Sequence, residues 1–200
     1  MLGATPPPPA AVFQTARPAA VTISLRTAPG GRVLARLRSH TEFGSPLVLG
    51  VGARRGSWVG LISTALPNGR LGWTKAGALR FATARYAIRV DLSARRLVLE
   101  HGGLVVRRIA VGIGGGTTPT PPGRYTVTDK LPGNRVYGCC ILALSGHQPH
   151  PPAGWPGEAR LAIHGGALAA VSAGCLHAST ADLRFLMAHV PLGTPVTIHR

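Results

Sequence analysis

The sequence predicts a mainly β protein, and three observations predict it. Of 200 residues, 27 are Gly and 18 are Pro, which leaves few stretches long enough for helices. Apolar and polar residues alternate with period two in segment after segment. Turn-forming residues punctuate those segments at short intervals. No run of 18 apolar residues occurs, so no helix that spans a membrane is expected.

Residues 1–20 read as a Pro/Ala-rich linker, with Pro6 to Pro9 consecutive. Met1 to Pro9 show no basic segment followed by an apolar one, so no export signal is visible there. Order begins at Val21-Thr22-Ile23-Ser24-Leu25, an alternation that suits a half-buried strand. Turns follow at Pro29-Gly30-Gly31, Gly44-Ser45-Pro46 and Arg55-Gly56. Pro67-Asn68-Gly69-Arg70 joins Trp58 to Ile62 with Leu71 to Trp73 as a hairpin, because Asn and Gly tolerate positive φ. Five or so short strands within 21–82 suggest a compact barrel.

A second unit, 83–200, opens with the alternation Tyr86, Ile88, Val90, Leu92. Turns at Ser93 to Arg96 and at Gly102-Gly103 make it a three-stranded meander that ends near Val111. Gly114-Gly115-Gly116 and the Thr/Pro-rich stretch to Gly123 are expected to be irregular, and a strand resumes at Arg124 to Thr128. Ser179 and Asp182 resemble a capping box ahead of Leu183, Leu186, Met187 and Val190 at helical spacing. Pro191 to Pro195 stop that helix, and Val196-Thr197-Ile198 form a closing strand.

Twenty-two Lys and Arg oppose six Asp and Glu, for a net charge of +16. Such a chain is drawn to polyanions, among them anionic wall polymers. The arginines are scattered and no nucleic-acid motif accompanies them, so nucleic acid is not an expected partner. The six acids are Glu42, Asp91, Glu100, Asp129, Glu158 and Asp182, with no two adjacent in sequence. Paired-carboxylate glycosidase chemistry and magnesium-dependent phosphoryl transfer are therefore disfavoured. No phosphate-cradling glycine loop or dinucleotide fingerprint is present. The available chemistry is Cys and His.

Three cysteines are too few for a disulfide framework. Cys139 and Cys140, adjacent in an apolar stretch, read as small buried hydrophobes, with a vicinal disulfide as the minority arrangement. A zinc site from Cys139, Cys140, His147 and His150 is disfavoured, because adjacent cysteines fit tetrahedral positions poorly. No metal or cofactor is expected. His147 and His150 read as loop residues bordering a substrate groove, and His40, His101, His189 and His199 as surface residues. Cys175 differs from the other two cysteines. It follows Ser172-Ala173-Gly174, small residues whose turn lets a substrate approach and lets N–H groups converge on one oxygen. Eleven residues upstream, Leu161-Ala162-Ile163-His164 is a buried-strand pattern ending at the Gly165-Gly166 turn. Cys and His on neighbouring loops suit thiolate catalysis, since a thiol reacts once its proton is drawn off.

Ile163-His164-Gly165 followed by Ser172-Ala173-Gly174-Cys175 resembles the active-site signature of the L,D-transpeptidase family. Ile88 to Ser93, Ala110-Val111-Gly112, Thr118 to Tyr125 and Gly193 to Val196 are similar in kind and order to that family's strands. The likeness covers about 84–199. Residues Leu25 to Gly30, Gly56 to Val59 and Gly72-Trp73 resemble a small bacterial SH3-like module, which often accompanies wall-active enzymes. The resemblance implies a β-sandwich catalytic domain behind an SH3-like barrel. It implies Cys175 as nucleophile and His164 as general base, its ring oriented by a backbone carbonyl at Gly165. It also implies an oxyanion hole from the N–H groups of Ala173, Gly174 and Cys175, with Ser172 in support. His177, Tyr137 and His147 are the expected substrate contacts. Ala173 stands where the family carries His, and His177 where Arg or Asn is common.

The implied reaction is attack on the amide before the terminal D-alanine of a peptidoglycan tetrapeptide stem, then 3→3 cross-linking to a second stem. Hydrolysis as an L,D-carboxypeptidase and catalytically impaired wall binding are the alternatives. Carbapenem-type inhibitors are expected to acylate Cys175. The protein is expected to be an extracytoplasmic monomer.

Overall fold

The computed structural model describes residues 13–154, 159–168 and 172–200. The N-terminal half holds seven strands: β1 (Phe13–Pro18), β2 (Thr22–Arg26), β3 (Val33–Arg38), β4 (Leu49–Arg55), β5 (Trp58–Ile62), β6 (Gly72–Lys75) and β7 (Leu79–Ala84). They form one sheet in the order β3-β2-β6-β5-β4-β1-β7, and a 3₁₀ turn at Ala76–Ala78 joins β6 to β7. The expected hairpin is present, with Trp58 opposite Lys75 and Leu61 opposite Gly72. At its tip the Arg70 N–H donates to the Pro67 carbonyl at 3.1 Å, and Gly69 takes φ +78°. Ile23, Leu25, Val59 and Leu61 point inward and pack with Leu47, Leu49, Leu66 and Leu79. Each such side chain removed from water contributes about 1.5–3 kcal/mol.

Strand β1 corrects the linker reading of residues 1–20. Phe13 to Pro18 pair with Ala84 to Leu79, and Thr15 and Ala16 also pair with Gly50 and Leu49. The segment FQTARP has almost no apolar periodicity, so sequence pattern misses it. Its small residues are nonetheless buried, Ala16 at 1% exposure, because the strand lies between β4 and β7 in the sheet. Residues 1–12 of that expected linker lie outside the described residues.

Eight strands follow: β8 (Tyr86–Asp91), β9 (Arg96–His101), β10 (Leu104–Ala110), β11 (Gly123–Pro132), β12 (Cys140–His147), β13 (Arg160–Gly165), β14 (Leu176–Ala178) and β15 (Pro195–His199). Their order is β10-β9-β8-β15-β11-β12-β13-β14. Strand β11 changes partner along its length. Gly123 to Thr126 pair with β15, whereas Val127 to Pro132 pair with β12. Both halves of the sheet thereby close on one core. Ile88, Val90, Leu97, Leu99 and Ile109 from the first half meet Leu142, Leu144, Leu161, Ile163 and Leu176 from the second.

Helix α1 (Thr180–His189) begins as its sequence predicts. The Asp182 N–H donates to Ser179 Oγ at 3.1 Å, and Leu183, Leu186 and Val190 are fully buried. The glycine-rich stretch after β10 is irregular as expected, but it is not unpaired. Gly112 bridges His177 and Gly114 bridges Ser172. Cys139 and Cys140 are joined in a vicinal disulfide, which corrects the reading of both as free buried thiols. Both sulfurs are thereby used, so the weighed zinc set loses its thiolate ligands.

The two units meet along β11, β12 and the loop that leads out of β3. Thr41 Oγ1 donates to Asp129 Oδ1 at 2.5 Å. Asn68 exchanges two hydrogen bonds with the His147 backbone, at 2.7 and 2.9 Å. The His147 ring Nε2 lies 2.7 Å from the Thr64 carbonyl.

Candidate active site

Period-two geometry builds the site. Along β13, Leu161 and Ile163 point into the core at 2% and 0% exposure, so Arg160, Ala162 and His164 face the other way. Parallel strand β14 sets Leu176 beside Ile163 and His177 beside His164. Leu176 and Ala178 are buried, so Cys175 and His177 share the open face with His164. These five residues line one groove of about 670 Å³, with Leu131, Ile141 and Ala143 as apolar lining.

His164 is 6% exposed, and its Nδ1 lies 2.7 Å from the Gly165 carbonyl oxygen. A carbonyl only accepts, so Nδ1 carries the proton and Nε2 is the basic nitrogen. Two rings flank the imidazole: Tyr137 edge-on at 4.9 Å and His177 at 4.8 Å between centroids. The Gly165 N–H donates to the Tyr137 carbonyl at 2.8 Å, which fixes the Tyr137 loop against the end of β13. Burial pushes the His164 pKa below the usual imidazole value. The Gly165 hydrogen bond opposes that shift, and the nearby His177 adds to it.

Cys175 Sγ lies 3.8 Å from the Arg160 carbonyl oxygen. Burial raises the thiol's pKa, and a hydrogen bond from the Ala162 backbone opposes that rise. Both shifts favour neutral forms. At neutral pH the pair rests as thiol and imidazole, and the thiolate is generated when the proton moves to His164.

The turn before Cys175 is fastened from several sides. Ser172 Oγ accepts from the Gly174 N–H at 3.1 Å and donates to the Cys175 carbonyl at 2.5 Å. The Gly174 N–H is thus engaged, which corrects its expected place in an oxyanion hole. The N–H groups of Ala173 and Cys175 have no acceptor among the described residues. Gly174 takes φ +116°, and a Cβ there would stand 2.2 Å from Gln148 Nε2. Gln148 is 6% exposed, and its Nε2 donates to the carbonyls of Ala173 and Pro119, each at 3.1 Å. Thr118 Oγ1 donates to the Ser172 carbonyl at 3.2 Å, and Thr120 Oγ1 accepts from the Gly114 N–H at 2.8 Å.

The structure therefore gathers Cys175, His164, Ser172, Ala173, Gly165, Tyr137 and His177 on one groove. It places His147 elsewhere, at the junction of the two units. The physical reason is its hydrogen bonding: backbone and ring are both held by the N-terminal unit. His150 lies in a separate depression with Pro119 and Arg200.

The L,D-transpeptidase catalytic domain (YkuD) matches residues 85–198. The chain belongs to the L,D-transpeptidase catalytic-domain family. No curated protein matches it. Among solved structures it is similar to the Enterococcus faecium L,D-transpeptidase C442S mutant, at 20% identity and TM-score 0.46, covering 58% of this chain and 50% of that one. It is also similar to Mycobacterium tuberculosis L,D-transpeptidase 1, at 18% identity and TM-score 0.43, covering 65% and 77%. A third similar structure is the catalytic domain of the E. faecium L,D-transpeptidase acylated by ertapenem, at 23% identity and TM-score 0.44, covering 57% and 97%.

Several residues of this L,D-transpeptidase domain escape a reading by motif. Arg160 was open to discovery, since it lies two and four residues before Ala162 and His164 and so shares their face. Its side chain, 9% exposed, donates from Nε to the Leu144 carbonyl at 3.1 Å and from Nη2 to Thr128 Oγ1 at 2.7 Å. The fully buried Asp129 lies 3.6 Å from Nη2, and Glu42 pairs with Nη1. Gln148 carried no signal, because its partners are loop carbonyls far away in sequence.

Proposed function

We propose that the protein is an L,D-transpeptidase that acts on peptidoglycan stem peptides through a thioester on Cys175. One observation carries this reading: Cys175 and a carbonyl-oriented His164 line the same groove, beside the Ala173 and Cys175 N–H groups, which have no acceptor among the described residues.

The chemistry follows from that arrangement. As Cys175 Sγ bonds to the carbonyl carbon preceding the terminal D-alanine, its proton passes to His164 Nε2. The tetrahedral oxyanion is held by the N–H groups of Ala173 and Cys175, each such donor being worth about 3–4 kcal/mol in well-measured cases. Collapse breaks the C–N bond, and His164 returns its proton to the departing D-alanine amine. An amine from a second stem then attacks the thioester. The thiol is regenerated and a 3→3 cross-link is formed. Water in place of the amine makes the protein an L,D-carboxypeptidase.

The N-terminal unit is read as an SH3-like module, and the net +16 charge as favouring an anionic wall outside the cytoplasm. A second reading, wall binding with impaired catalysis, draws on Ala173 in place of the family's His and on the burial-raised Cys175 thiol. Mass spectrometry after incubation with a carbapenem or a tetrapeptide donor separates the two. An adduct on the wild type that is absent from Cys175→Ala supports the enzyme. No adduct on either protein supports the binding module.

A further inference from the structure

The groove is not made by the catalytic domain alone. The loop between β3 and β4 comes from the N-terminal unit, and it sets Glu42 and Phe43 on the groove's lining. The loop is closed on itself: the Gly44 N–H donates to the Thr41 carbonyl at 3.0 Å and the Thr41 N–H to the Ser45 carbonyl at 2.8 Å. It is tied down by Thr41 on the buried Asp129 and by Glu42 on Arg160. Phe43 is held by neither of these ties. Its ring stands 5.8 Å from the Arg160 guanidinium and is 50% exposed, a large apolar surface that opens into the groove.

The position of that ring has a consequence for substrate. Cys175 stands on the β14 side of β13, its Sγ 3.8 Å from the Arg160 carbonyl, whereas the Arg160 side chain reaches across β12 to Thr128 on β11; three strand spacings of about 4.8 Å separate the two sides, roughly 14 Å. Between them lie Ala162 and, on the neighbouring strands, Ala143, Ile141 and Leu131, so the connecting floor is apolar. At the far end Arg160 is shared between Glu42 and the buried Asp129. An extended peptide with its reacting amide at Cys175 therefore reaches Phe43 about three or four residues away.

We propose that Phe43 is a specificity-determining residue: its ring packs on the part of the peptide remote from the scissile amide, so the N-terminal unit reads donor length. Remote contacts of this kind favour long substrates over short ones. The inference rests on the stem-peptide reading above and adds a residue and a unit to it.

The test separates the two claims. Binding is measured by calorimetry on Cys175→Ala, with and without Phe43→Ala, for a tetrapeptide stem and for a dipeptide that keeps its two C-terminal residues. Phe43→Ala is expected to lower the ratio of tetrapeptide to dipeptide affinity about tenfold, a change typical of removing a packed aromatic anchor. Phe43→Leu should restore most of that ratio, because it keeps an apolar group without the ring. An unchanged ratio, equal loss on both peptides, or no binding of the tetrapeptide overturns the role of Phe43. Carbapenem labelling of the Cys175-intact protein is scored in parallel. No adduct there, with the ratio still shifted, overturns the enzyme reading and leaves the groove assignment standing.

Discussion

Replacing Arg160 with Met removes the only counter-charge within 4 Å of Asp129 among the described residues, and the cost can be worked from the surroundings. Asp129 is fully buried; one oxygen takes the Thr41 hydroxyl, and the other has no hydrogen bond, only the guanidinium 3.6 Å away. Glu42, with 48% side-chain exposure, loses little when its partner goes, since exposed pairs are worth at most about 1 kcal/mol. The buried carboxylate dominates. Removing one partner of a buried pair costs about 3–5 kcal/mol, because an uncompensated charge is left behind. For a chain of this size that corresponds to a melting temperature lower by roughly 6–20 °C. Urea denaturation of the wild type, Arg160→Met and Arg160→Met/Asp129→Asn measures it directly. The double variant is expected to recover more than half of the loss, since Asn still accepts from Thr41 and carries no charge. A single-variant loss below about 1 kcal/mol, or a double variant less stable than the single, refutes the reasoning.

Gly174→Ala is expected to reduce acylation of Cys175 at least tenfold, on the order of the loss from misplacing a reacting group by an ångström. Its positive φ and the 2.2 Å approach to Gln148 force the turn to move; time-resolved mass spectrometry of the adduct checks it. The rate of iodoacetamide alkylation at Cys175 should keep climbing above pH 9.0 without levelling, because the folded thiol's pKa lies above that value; a plateau below pH 9.0 contradicts the burial argument. Stability behaves oppositely for the two groups. The depressed His164 pKa removes stability as pH falls below 6.5, and the raised Cys175 pKa removes it as pH rises above 9.0. Denaturant titrations at pH 5, 7.5 and 10 should show the middle value as the most stable.

Much of the catalytic unit could be read directly from the sequence. The meander from Tyr86 to Ala110, the helix capped by Ser179 and the strand that ends at His164 each carry their own periodicity and stop signals. Their local preferences agree with their tertiary setting. Small residues around a thiol and a His at a glycine turn singled out Cys175 and His164 in the sequence, and the fold sets both on one groove. Strand β1 was not legible, because FQTARP has no apolar alternation and is ordered by the strands on either side of it. The vicinal disulfide was equally hidden, since adjacent cysteines read the same whether free or joined.

The sequence alone determined the β class, the two-unit order and the chemistry available, because hydrophobic period, turn residues and scarce carboxylates are properties of neighbours along the chain. Tertiary structure decided which groups share the groove. It moved His147 to the junction and engaged the Gly174 N–H with Ser172. It also brought Arg160, Asp129, Glu42 and Phe43 together from two strands and a loop of the other unit. Contacts between residues more than 80 positions apart, such as Thr41 with Asp129, leave no local pattern, since they are selected by packing and by the cost of burying an unpaired charge.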